Sequence, residues 1–493
     1  MGIVQKDAIK TTMISSLGLV LGYLNKGLLF LLILSTEQIG VINLCFSLGV
    51  LFAQFSNFGT IYTIWKFFPF FKNKEKKHHG FLPFILLIVT LGILLISSLF
   101  FLFQNELEAI YINKSPLFID YFFWIIPIGI GYVVYLVLDV YLRALFKNIV
   151  SVFALDVVLR LGVTFILVFL WLDWISFDSF VVFHSLLFIV PPLILIAYLF
   201  KINELHLNIK NINISSRFRK IIFNFSAFNY INSLGAVLVN SLDIIMVAQF
   251  LGLKATGVYS TVVFLTSALQ VPYKSLVRVS SPLVSEFWKS REMEKMKALY
   301  TKVSSVSLVI GLGLFLLVWI NIDFLFSFLK YEFQPGIWVF FFLMMGRLVD
   351  MFFGLNGSIF NTSKKYKYDV FFTLFLIVAV YYLNTIMIPL WGMAGAAIST
   401  AGAFFIYNIG RMLFVYSIYK IHPFKINQFI IIILGVLTLF LTHILKDLFT
   451  NEWIQMIFIS LVGFLLFFGS IFVFSLEKET INYAIKTKKK LFK

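Results

Sequence analysis

One cysteine, Cys45, stands in a chain of 493 residues. That excludes a disulfide framework and a metal–thiolate cluster, and Cys45 is read as packing inside an apolar run. Charge is scarce as well: 13% of the residues are Asp, Glu, Lys or Arg, against 60% hydrophobic. Soluble domains carry about twice that share of charge. Long polar insertions are also missing. The outer loop holding Glu106 and Glu108 spans about thirteen residues, and none on that side is longer. A membrane polymerase or glycosyltransferase with paired outer carboxylates would have no room there, so no enzyme is expected. No small-residue cleavage site follows the polar stretch Met1–Lys10, so the first helix is expected to remain in place.

What the chain does have is apolar runs of membrane length. Fourteen are counted, at about 10–34, 39–65, 81–104, 118–141, 149–171, 178–200, 220–250, 256–277, 303–328, 336–360, 370–388, 393–416, 426–445 and 453–476. Each can cross about 30 Å of hydrocarbon as a helix. The expected class is an all-α polytopic membrane protein with about 14 transmembrane helices.

The formal net charge is +17, and its placement explains it. With the N-terminus inside, 31 of the 40 Lys and Arg fall in inner loops and tails, and four fall outside: Lys114, Lys254, Lys330 and Lys446. That asymmetry puts both termini in the cytoplasm. The basic balance then reflects topology and anionic lipid, not nucleic acid.

Five cations remain inside apolar runs: Lys26, Arg160, Lys274, Arg347 and Arg411. Intramembrane cations cost about 2.5–3.5 kcal/mol each on insertion scales and mark functional candidates. Lys274 and Arg411 lie toward the inner ends and carry less weight. In the first run Ser15, Gly18, Gly22 and Asn25 recur at three and four residues, with Lys26 on the same face. Small residues there let a neighbouring helix come close. A lysine snorkelling to the interface is the alternative. Asp156 and Arg160 form an i, i+4 pair, and Arg347 and Asp350 an i, i+3 pair followed by Gly354, Asn356 and Gly357.

The run at 220–250 carries a polar stripe of Asn229, Asn232, Ser233, Ala236, Asn240 and Asp243. Such a stripe faces other helices or water, because an unsatisfied polar group in lipid costs several kcal/mol. The turn that follows, Leu251 to Tyr259, echoes Leu34 to Ile42 at an offset of 217 residues. The same offset places Lys26 opposite Asp243, and the loop 143–148 opposite 360–365. Six helices therefore repeat with the same topology, implying a pseudo-twofold axis along the membrane normal. The expected division is a six-helix bundle at 1–217, a second at 218–420, two extra helices at 421–476 and a basic cytoplasmic tail at 477–493.

Two loops are read by composition. Lys72, Lys74, Lys76, Lys77, His78 and His79 form a basic inner loop. The two histidines have no carboxylate or cysteine at ligand spacing, so the loop is expected to be solvated and no metal is expected. Pro282 to Lys302 reads as an amphipathic helix on the inner leaflet. Helical stripes among the 61 phenylalanines read as lipid-facing surface and point to no function.

In order along the chain, Leu34 to Gly40, Asp243 with Leu251 to Tyr259, Asn361-Thr362-Ser363-Lys364 and Pro389 to Ala397 resemble the Wzx-like polysaccharide flippases. These form one branch of the multidrug/oligosaccharidyl-lipid/polysaccharide exporter superfamily, which also holds the MATE transporters. The resemblance implies two six-helix bundles, alternating access, and transfer of an undecaprenyl-diphosphate-linked oligosaccharide between leaflets of the bacterial cytoplasmic (inner) membrane. The cargo would be an O-antigen (lipopolysaccharide) or capsule repeat unit. Lys26, Arg160 and Arg347 are the positions that could hold the diphosphate. Asn25, Asn229, Asn232, Asn240, Asp156, Asp243 and Asp350 would line the cavity or carry Na⁺ or H⁺ coupling. Asp243 would pair with Lys26 in the empty state or carry the coupling ion. The partners implied are membrane lipid and the lipid-linked glycan, with a polysaccharide polymerase and export machinery; a monomer is expected. A cation-coupled multidrug antiporter is the competing reading.

Overall fold

The computed structural model describes residues 3–212, 214–446 and 451–476. The expected tail at 477–493 and the side chains of Asn232 and Ala236 lie outside the described residues. Every regular element among the described residues is helical.

The first unit, Met1–Thr261, begins with α1 (Ile3–Leu24), which runs through a π-helical turn at Asn25–Leu29 into Phe30–Ile33. Ser35 then caps α2 (Thr36–Ser56): its hydroxyl accepts from the Gln38 amide at 3.1 Å, and Gln38 Oε1 accepts from the Ser35 amide at 2.9 Å. This reciprocal box satisfies two orphan donors and fixes where the helix starts. Next come α3 (Thr60–Phe71), α4 (Phe81–Leu102) and α5 (Ile125–Ala144). A second π-helical turn, Ala154–Leu159, leads into α6 (Arg160–Trp171), followed by α7 (Phe177–Leu187) and α8 (Val190–Lys201). Phe68, Phe81, Ile85, Tyr141, Leu195 and Leu199 form a shared core.

α9 (Ser216–Leu251) ends at Gly252, whose φ of 92° a side chain would resist. Its polar face packs on α2 and α3. The first packing unit therefore reaches Thr261, past the 217/218 division of the sequence repeat. The two echoing turns meet face to face. A Cβ added at Gly40 would sit on the Leu253 carbonyl, and one added at Gly257 on the Thr36 carbonyl. Leu253 is the repeat mate of Thr36 and Gly257 that of Gly40, so the contact is reciprocal, as at a twofold interface.

α10 (Leu253–Ala268) crosses into the second unit, Val262–Lys493. There follow α11 (Val271–Ser290), α12 (Met293–Trp319), α13 (Gly336–Phe353), α14 (Asn356–Thr362) and α15 (Asp369–Tyr419). The extra helices α16 (Ile426–Leu445) and α17 (Glu452–Val473) pack on α12. Gln428 Nε2 donates to Ser304 and Ser305 Oγ, each at 3.0 Å, and Asn321 Nδ2 to Ser460 Oγ at 2.9 Å.

Eleven helices among the described residues are long and apolar enough to cross a membrane, and a twelfth counts if the 40° bend in Ser216–Leu251 lies within one span. Fourteen are expected, and length and composition do not establish that number. The shortfall lies at two places. Tyr366–Tyr419 is one 54-residue run, broken where Trp391 (φ −125°) and Gly392 (φ 58°) leave helical geometry. Leu253–Ala268 is only 16 residues long.

One expectation is corrected. No separate surface helix spans Pro282 to Lys302: α11 stops at Arg291, whose φ is 60°, and α12 starts at Met293. Val284, Met296 and Tyr300 pack with Ile359 and Phe360 in one core, with Phe287 and Leu299 against it, so most of the apolar stripe read as membrane-facing packs on protein, while Leu283 is exposed. Phenylalanine occurs on both sides: Phe52, Phe68, Phe118, Phe180 and Phe315 are fully buried, and Phe70, Phe165 and Phe371 are exposed.

Candidate functional site

In the first unit the small-residue face of α1 meets the second π-helical turn and α6. Glycine makes the approach tight: a Cβ at Gly18 would lie 2.5 Å from Asp156 Cβ, and one at Gly22 would lie 2.7 Å from Arg160 Nη1. Asp156 Oδ1 pairs with Arg160 Nη2 at 3.2 Å, as the i, i+4 spacing implies, and Asp156 Oδ2 accepts from Ser15 Oγ at 3.1 Å. Arg160 also donates to the Gly18 carbonyl. Its side chain stays about a third exposed, at 34%.

The π-helical turn at Asn25–Leu29 packs on α6 and the one at Ala154–Leu159 on α1, and Asn25 bridges the first of these contacts. Its Nδ2 donates to the Arg160 carbonyl at 2.8 Å, while its Oδ1 accepts from Thr164 Oγ1 at 2.7 Å. Asn25 therefore cross-links the helices behind the cation. Lys26, the next residue, is half-buried, with Nζ 3.0 Å from Asn43 Oδ1 and 5.2 Å above the Phe46 ring. Asn43 is itself oriented by donating to the Ile39 carbonyl at 3.1 Å. A neutral amide and an aromatic face hold this ammonium, so its charge is not cancelled.

Asp243 is buried and accepts from Tyr259 at 2.8 Å. The pairing expected between Lys26 and Asp243 is not what the structure shows; each has a partner of its own. Along the stripe, Ser233 accepts from Gln54 Nε2 at 2.6 Å, and Tyr230 donates to the Phe55 carbonyl at 2.9 Å. Asn229 donates to its own helix at Phe225 (2.9 Å), and Asn240 is exposed. Of the stripe, Ser233 thus meets α2, another helix of the same unit, and Asp243 meets α10.

In the second unit Arg347 Nη2 lies 3.4 Å from the Val263 carbonyl, and Asp350 accepts from Asn408 Nδ2 at 3.5 Å. The buried ion pair here is Arg411 with Asp369 at 2.8 Å, with Arg411 4.7 Å over the Tyr407 ring. Sequence reasoning gave Arg411 little weight and missed Asp369, since no spacing rule links residues 42 apart on two limbs of a kinked helix. It also missed Asn43, Thr164 and Tyr259, which no local spacing ties to their partners. His78, expected in solvent, is buried and bonded to Glu204 at 2.7 Å.

The fold is shared with solved structures of a lipid II flippase and of MATE transporters. It aligns with the lipid II flippase MurJ in an inward closed conformation over 95% of this chain and 99% of that one, with a TM-score of 0.69 at 16% identity. An inward-facing MATE family multidrug resistance transporter aligns over 85% of this chain and 95% of its own, TM-score 0.58 at 14% identity. A transporter of the same superfamily from Pyrococcus furiosus, described as having a binding pocket of reversed polarity, aligns over 85% and 96%, TM-score 0.52 at 14% identity. In sequence, an uncharacterised membrane protein of Methanocaldococcus jannaschii is 27% identical over 266 residues, covering 52% of this chain and 51% of the relative. The chain thus spans about half the length of the curated relative it matches. No family model matches.

Proposed function

We propose that the chain is a flippase carrying a polyprenyl-diphosphate-linked oligosaccharide from the inner to the outer leaflet of the cytoplasmic membrane by alternating access. The observation that carries this reading is Lys26, an intramembrane ammonium held by an amide and a ring and not by a carboxylate. A diphosphate head is too costly to drag through hydrocarbon, whereas the polyprenyl tail can stay in lipid. Lys26 and the partly exposed Arg160 attract the head, and phosphate oxygens replace Asn43 as acceptors with a stronger, charge-assisted bond. Arg347 is the candidate cation of the second unit. Asp243 or Asp350 would carry Na⁺ or H⁺ coupling. A lipid II flippase among the proteins sharing the fold supports the reading, as do the motifs that resemble polysaccharide flippases. The cargo is an O-antigen or capsule repeat unit, handed to a polymerase and export machinery, and the transporter works as a monomer with both termini inside.

Reconstitution tests this. In liposomes with a fluorescent polyprenyl-diphosphate oligosaccharide, the protein should move the probe to the opposite leaflet, and an imposed ion gradient should change the rate if transport is coupled. Efflux of small cationic dyes without glycolipid transfer would replace this reading with that of a multidrug antiporter, which the MATE transporter sharing the fold keeps in play.

A further inference from the structure

The inner end of the first unit holds three potential metal ligands that the proposed transport does not use. After α3 the chain makes a turn in which Lys77, His78, His79 and Gly80 are all left-handed, with φ of 48°, 52°, 53° and 70°. Such backbone is costly for non-glycine residues, and here it swings the His78 ring inward against Phe68, 5.3 Å between centroids. Nε2 of His78 lies 2.7 Å from Glu204 Oε2, on the segment that follows α8. Two residues on is His206, its ring centroid 6.0 Å from that of His78. Its Nε2 is buried and makes no hydrogen bond. One ligand atom from each of His78, Glu204 and His206 lies within 4.8 Å of the others.

We infer that His78, Glu204 and His206 form a site for a borderline divalent metal, Zn²⁺ first, which clasps the loop between α3 and α4 to the end of α8. Two imidazoles and a carboxylate suit Zn²⁺, with water as a fourth ligand, whereas Mg²⁺ and Ca²⁺ want oxygen donors throughout. The His78–Glu204 hydrogen bond holds a proton where the metal would sit, and zinc would give the orphaned His206 nitrogen a partner. Lys74 Nζ, 3.5 Å from the other Glu204 oxygen, is mostly exposed and can swing into solvent.

Loading has a structural consequence. His78 Nδ1 now accepts from the Asn73 amide at 3.1 Å, so the ring is neutral with its proton on Nε2. Zinc on Nε2 requires that proton to leave and Nδ1 to take one up, with no net change in His78 charge. The Asn73 contact must then open, and the 72–76 loop shifts.

The test uses full-length protein with a non-histidine tag, stripped with a chelator and titrated in detergent with ZnCl₂ against a fluorescent zinc indicator. One equivalent should bind at least tenfold more tightly to wild type than to His206→Ala or Glu204→Gln. His443→Ala, outside the cluster, should bind as wild type does. Zinc should also change hydrogen exchange of the 72–77 amides in wild type and not in His206→Ala. His206→Ala removes a nitrogen without a partner, and unchanged metal-free thermal unfolding would show that it folds. Equal affinity of wild type and His206→Ala, or zinc binding without change in the loop amides, overturns the proposal.

Discussion

At the scale of single residues, Lys26 decides the proposal. Its ammonium would exchange a neutral amide acceptor for a charged phosphate, and hydrogen bonds to charged groups are worth about 1.5–3 kcal/mol. Lys26→Ala should therefore weaken glycolipid transport by roughly 10- to 150-fold with normal expression, and Lys26→Arg should keep most of it. Because Lys26 is bonded to Asn43 and Asp243 to Tyr259, exchanging the two charges should not rescue either single variant. Full recovery in Lys26→Asp/Asp243→Lys, scored in the liposome assay, would mean that the two lock the fold instead. How far these residues could be read from sequence follows from distance along the chain. Asp156 with Arg160 was legible because i, i+4 neighbours on one helix must meet. Glu204 with His78 was not, since 126 residues separate them and only tertiary packing joins the loops.

At the scale of elements, the repeat read from two short turns has a physical counterpart in the contact of Gly40 with Leu253 and of Gly257 with Thr36. Backbone meets backbone there, and no side chain can yield to make room. Gly40→Val and Gly257→Val should each lower stability, by about 1–3 kcal/mol on the scale of overpacking. Gly402, in the helix α15, has nothing within 4 Å of an added Cβ, so Gly402→Ala should be neutral or stabilise by up to about 1 kcal/mol. Thermal unfolding in detergent compares the three; equal midpoints would show that the turns do not pack closely in the membrane. The Pro282 to Lys302 segment marks the limit of pattern reading at this scale. An apolar stripe flanked by lysines has the same periodicity whether it meets lipid or protein, and here Val284 and Met296 meet Tyr300 and Phe360.

At the scale of the whole molecule, apolar runs made the membrane class legible, because helices in lipid need about 20 apolar residues each. The number of crossings was less so: a chain that turns at Trp391 and Gly392 without leaving a continuous helical run carries no polar loop to mark the turn. Orientation rests on charge alone, and the direction of transport rests on orientation. The chain makes this easy to measure, since its one cysteine, Cys45, is buried and leaves little background for thiol labelling. Lys254 and Lys364 are both exposed and are assigned to opposite faces. A membrane-impermeant maleimide should label Lys254→Cys in intact cells, and Lys364→Cys only after permeabilisation. The opposite pattern would invert the topology, place the basic loops outside against the positive-inside bias, and turn the proposed export into import.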